Sequence, residues 1–151
     1  MKTALALQPT LWRSCRVLAN RRRLQILQLL VQQPGLRVSE VAQRLKLSLP
    51  VASQYLRALE ARGFLSVRRV ADRVYYRPNT RDAFRPAQPL VAALYACLRR
   101  DSDAVARLFH LATAFTHPRR IEMFRILQQG HQTAGQLQAR TRMSRFAIVR
   151  H

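Results

Sequence analysis

Residues 18–76 constrain this chain more than any other stretch, because patterned segments follow one another there with very few acids between them. Asn20 is a helix N-cap, and Leu24, Leu27, Leu30 and Val31 then recur on one helical face. Pro34-Gly35 ends that helix. Ser39 is expected to cap a short helix with Val41, Ala42 and Leu45 inward, and a turn follows at Leu47. Ser48 caps the next helix, where Pro50 fits the first turn and Ala52, Leu56 and Leu59 line one side. Gly63 closes it as a left-handed residue. Phe64–Val70 and Arg73–Arg77 then read as two strands around Ala71-Asp72. A shorter helix at 11–18, capped by Thr10, precedes the whole run.

Two helices joined by a tight turn and backed by a basic hairpin are what a helix-turn-helix with a wing requires. One helix enters the DNA major groove and the hairpin grips flanking backbone. The expected fold is therefore mainly α with a small β-hairpin, and residues 10–78 form the winged helix-turn-helix domain. Charge points to the same partner. Lys and Arg total 27 against 7 Asp and Glu, a formal net charge of +20, which favours polyanions. All but two of those cations are Arg, the side chain that forks onto phosphate and guanine edges. The basic residues alternate with apolar ones instead of forming a solvated tail.

Residues 79–102 are expected to be a linker, with Pro86 and Pro89, leading into a connecting helix of about 90–100. A cap at Asp101 or Ser102 starts another helix, reaching about Phe115. The chain then repeats itself: Leu18 to Leu24 lines up with Phe115 to Ile121, Val41 to Ser48 with Leu137 to Ser144, and Ala52 with Ile148. His117 as N-cap, Pro118 at the first helical position and a capping box of Thr133 with Gln136 support helices there. Residues 103–151 are thus expected to be a second, truncated and wingless helix-turn-helix-like unit.

The run Leu18-Ala-Asn-Arg-Arg-Arg-Leu-Gln-Ile-Leu-Gln-Leu-Leu resembles the second helix of the arsenical-resistance-repressor (ArsR-type) winged helix-turn-helix family. Residues 39–65 are similar to its helix-turn-helix, and residues 67–76, with paired tyrosines, to its wing. The resemblance covers about residues 11–78. It implies a sequence-specific repressor relieved by a signal, one that reads DNA with residues 49–62 and grips it with residues 64–77; the bacterial cytoplasm is expected from the cysteine count and the short apolar run at the start. It also implies dimers through the first and last helices, although the repeat offers an intramolecular pseudo-dimer instead. Carried over, the base-reading positions are Ser48, Leu49, Pro50, Ser53, Gln54 and Tyr55, while Arg57, Arg68, Arg69 and Arg73 meet phosphates or the minor groove. Two departures matter. Ala71-Asp72 stands where the family often has Gly, and Arg37-Val38-Ser39-Glu40 replaces the metal-binding cysteines, so no arsenic-type sensing is expected.

Other constellations are sparse. Cys15 and Cys97 are too few for a disulfide framework, imply a reducing compartment, and read as small core residues or as a redox pair. The four histidines show no ligand spacing, and no cofactor or metal is expected. Arg21-Arg22-Arg23 crowds a helix N-terminus, where either a phosphate or structural pairing would relieve the conflict with the helix dipole. Trp12, Phe109, Phe115 and Phe124 read as core. No phosphate loop, carboxylate pair or nucleophile signature supports an enzyme. The apolar run at 3–7 is too short for a signal-peptide core or a membrane span. Against sequence-specific DNA binding stand two alternatives: a non-specific nucleic-acid binder driven by charge, and a protein-interaction or dimerisation module.

Overall fold

The computed structural model describes residues 10–80 and 88–151. The apolar run at 3–7 and the middle of the expected linker, Pro86 included, lie outside them. Helix α1 (Leu11–Leu18) leads into α2 (Arg21–Gln32), a two-residue strand β1 (Leu36–Arg37), α3 (Val38–Leu45) and α4 (Leu49–Glu60). The hairpin β2 (Leu65–Val70) and β3 (Arg73–Pro78) follows, then α5 (Gln88–Arg100) and α6 (Ala104–Ala114). Three shorter helices complete the described chain: α7 (Pro118–Leu127), α8 (Ala134–Thr141) and α9 (Arg145–Arg150).

Local chemistry explains most boundaries. Asn20 Oδ1 accepts from the Arg23 backbone N–H at 3.0 Å, so α2 starts where its cap stands. Thr10 and Ser48 occupy N-cap positions with extended backbone but make no side-chain cap bond. The start of α3 differs from expectation: its N-cap is Arg37, and Ser39 lies inside the helix. Glu40 does the capping, because its carboxylate accepts from the Arg37 backbone N–H at 2.8 Å and from its Nε at 3.2 Å. Those two donors hold the Glu40 carboxyl below its usual range. The turn between α3 and α4 is made by Lys46 at φ 51°, one residue before the expected Leu47. Similarly, α6 is N-capped by Asp103, while Asp101 Oδ1 accepts the Asp103 backbone N–H at 2.8 Å and its carboxylate pairs with Arg107.

The sheet is antiparallel with strand order β1-β3-β2. Leu36 and Arg37 pair with Tyr76 and Tyr75, adding a third strand to the expected hairpin. Opposite, Val70 pairs with Arg73 across the two-residue loop Ala71-Asp72. Ala71 takes φ 52° there, a left-handed conformation that costs a residue with Cβ about 1–2 kcal/mol. The loop keeps its tight geometry despite lacking Gly.

The main core joins α1, α2, α4, the sheet, α5 and α6: Leu24, Leu27, Leu30, Leu56, Leu59, Phe64 and Leu98 are all buried in it. Val31, expected inward, is half-buried, whereas Ile26 is fully buried. Helix α6 packs on α1 and α2, with Ala104 and Ala112 buried in this core. A separate small cluster, Ile126, Leu137, Met143 and Ile148, holds α7, α8 and α9 together. Of the four aromatics expected inside, Trp12, Phe109 and Phe115 are half-buried and Phe124 is exposed. Trp12 instead serves as a platform for Arg13 and Arg16, whose guanidinium carbons lie 5.0 and 5.8 Å from its ring centroid.

Leu56→Ala is expected to lower the unfolding free energy by about 2–5 kcal/mol, and Gln54→Ala by less than about 0.5 kcal/mol. Urea titrations of both variants check this, and equal losses would contradict the placement of α4.

Candidate nucleic-acid interface

Helix α4 is held from one side only. Ala52, Leu56 and Leu59 have no exposed surface on the side where α4 packs against α3, α2 and the root of the hairpin. At 3.6 residues per turn this fixes which positions face water. Ser48, Leu49, Pro50, Gln54 and Arg57 are exposed, and Ser53 is half-exposed on the same side. Arg57 Nε donates to the Ser53 carbonyl at 3.4 Å, which lays the guanidinium along the helix. Tyr55 differs from its neighbours: it is half-buried at the edge of the core, and the Arg23 guanidinium carbon sits 5.4 Å from its ring centroid.

The hairpin adds exposed cations. Arg68, Arg69, Arg73 and Arg77 all reach solvent. Arg73 lies 4.0 Å from Asp72 at the loop, an open pair of little energetic weight. Arg77 Nε donates to the Ser66 hydroxyl at 3.2 Å across the strands. The hairpin register puts Arg69 and Val74 opposite each other, beyond the core.

A buried tyrosine fixes the root of the hairpin. Tyr95 on α5 donates its hydroxyl to the Phe64 carbonyl and accepts from the Asn79 backbone N–H at 3.3 Å. The residue before β2 and the residue after β3 thus meet one side chain at the root, and burial pushes its hydroxyl pKa up to about 12. Sequence reading missed Tyr95, because its partners lie 31 and 16 residues away and leave no local pattern.

The arginine triplet at the start of α2 serves the scaffold. Arg23 donates to the Val17 carbonyl at 3.2 Å, Arg22 to Gln25 Oε1 at 3.1 Å, and Arg21 stacks over Phe109 at 4.6 Å. Carbonyls and rings, not acids, hold these cations. The two cysteines are free thiols that line one groove. Burial raises the Cys15 thiol to about 11, so it stays protonated near neutral pH. Among the described residues no three His, Cys, Asp or Glu side chains gather as metal ligands, and no helix is long and apolar enough to cross a membrane.

Residues 20–66 match the family model for winged helix-turn-helix DNA-binding domains. The chain is similar to the homodimeric winged helix-turn-helix DNA-binding domain (fragment 1–100) of Mb0332 from Mycobacterium bovis, a possible ArsR-family transcriptional regulator. Identity is 38%, covering 58% of this chain and 72% of that one, with a TM-score of 0.46. It is also similar to reduced HlyU from Vibrio cholerae, at 32% identity over 54% of this chain and 80% of that one, with a TM-score of 0.42. No curated protein matches it. The matched segment runs from the cap of α2 to the first residues of the hairpin, through the helix pair that exposes Gln54 and Arg57. By that match and that geometry, the chain belongs to the winged helix-turn-helix DNA-binding family.

Proposed function

We propose that this protein is an ArsR-like transcriptional regulator that binds a specific operator, acts as a repressor and works in the bacterial cytoplasm. One observation carries the reading: α4 is anchored by Ala52, Leu56 and Leu59 and turns Ser53, Gln54 and Arg57 outward beside a hairpin of exposed arginines. A helix about 10–12 Å across fits a major groove about 12 Å wide. Gln54 can pair with adenine through both amide atoms, and Ser48 and Ser53 can contact base edges or phosphate. Arg57, Arg68, Arg69 and Arg73 supply charge to the backbone. Tyr55, half-buried beneath Arg23, positions the helix rather than reading bases.

A partly palindromic operator needs two reading heads about one helical turn apart. Helix α9 makes a poor second head, because Phe146 and Val149 are each 77% exposed on its six residues. Where α4 offers Pro50 and Ser53, the aligned positions of α9 offer a phenyl ring and an isopropyl group. Two chains, each contributing its α4, therefore make the operator-binding unit.

Duplexes selected from a random pool test this. Specific binding should exceed binding to random duplex by about a thousandfold or more. Gln54→Ala should cost about 1–3 kcal/mol on the selected duplex and nothing on random DNA. Each wing change, Arg68→Ala, Arg69→Ala or Arg73→Ala, should flatten the log–log salt dependence by up to about 0.9. Equal affinity for both DNA pools would make the protein a non-specific binder. Unchanged binding by Gln54→Ala with Arg57→Ala would make it an interaction module. Sedimentation should show a dimer on the operator, and a single chain there would contradict the homodimer.

A further inference from the structure

Away from the α4 face, helices α1, α5, α6 and α7 enclose an open groove of about 610 Å³. Cys15, Leu18, Leu94 and Ala112 form its buried floor. Leu111, 58% exposed, and Phe124, 45% exposed, stand at its rim. Its size lies within the range of about 300–1,000 Å³ typical of small-molecule sites, and its lining is apolar with few polar groups, as such sites are.

The polar groups are placed unevenly. Among the described residues Arg125 is the sole charged side chain lining the groove, and Gln128, three residues on at the C-cap of α7, stands with it on one side of that helix. Arg125 has no hydrogen bond or ion pair with another described residue. A guanidinium left unpaired at the edge of an apolar groove is complementary to a molecule with an apolar body and one anionic head, onto which its planar fork can close. Among the described residues no acid lines the groove to attract a cationic ligand.

We propose that this groove binds a free, medium-chain anionic amphiphile, with its tail over Leu18 and Leu94 and its carboxylate on Arg125 and Gln128. The site is independent of the DNA reading, since its test uses no DNA.

Calorimetric titration of the full chain with decanoate and with decanol, both kept monomeric, tests this. Decanoate should saturate at one per chain and bind about tenfold or more tighter than decanol. Arg125→Gln should bring decanoate down to the decanol level without changing decanol binding. Ala93→Trp fills the groove from an exposed position on α5, where the fold has no need of the alanine, and should abolish binding of both. Absence of saturable decanoate binding, equal affinity for the two ligands, or indifference to Ala93→Trp would overturn the proposal. So would binding to phosphatidylglycerol vesicles but not to monomeric decanoate, which would make this a membrane face. A dimer that Leu111→Asp dissociates, with no decanoate binding by the wild type, would give the groove to a second copy.

Discussion

The burial of Leu56 and Leu59 decides the orientation of everything that matters at the DNA-facing side. Each is fully buried in the core where α4 packs against α2, α3 and the root of the hairpin, and each such burial is worth about 1.5–3 kcal/mol relative to exposure. Rotating α4 by even one position would expose one of them and bury Gln54 or Arg57 without a partner, which costs more still. The polar side is thus a consequence of the apolar side. Tyr95 extends the same constraint to the hairpin, because its hydroxyl binds Phe64 at the end of one strand and Asn79 beyond the end of the other.

Charge plays a different part. With +20 on 151 residues, the arginines repel one another, and the fold accommodates them in two ways. Some are absorbed into the scaffold: Arg23 on the Val17 carbonyl and Tyr55, Arg21 on Phe109, Arg37 on Glu40. Others, on the hairpin and along α4, are left in water with few protein partners. Those are the ones a polyanion would relieve, and relief of self-repulsion adds to any specific contact. Position relative to the core, and not residue type, separates the two groups.

Most of the helical frame was legible in the chain itself. Asn20, His117 and Thr133 stand at helix starts and accept the expected backbone N–H, and Gly63 sits at φ 75° just beyond α4. The inward positions of α4 followed from spacing alone. Where local signals are weak or shared, reading failed. The start of α3 is capped from its third residue, Glu40, so a search for an acceptor at the cap chose Ser39 instead of Arg37. Strand β1 is two residues long and exists because Tyr75 and Tyr76 lie beside it, a pairing 40 residues away. Lys46 and Arg142 turn with positive φ and carry no glycine signal. Phe124 looked like core because it is aromatic on an amphipathic helix, yet its neighbours leave a groove there. That groove needs four helices from distant parts of the chain, so nothing local announces it.

DNA binding depends on α4 meeting a duplex with the side it cannot bury. Backbone amide shifts recorded by NMR while an operator duplex is added report this residue by residue. The expected result is large changes at Ser53, Gln54, Arg57 and residues 68–73, with α9 unmoved. Changes confined to α7, α8 and α9, with α4 silent, would contradict it.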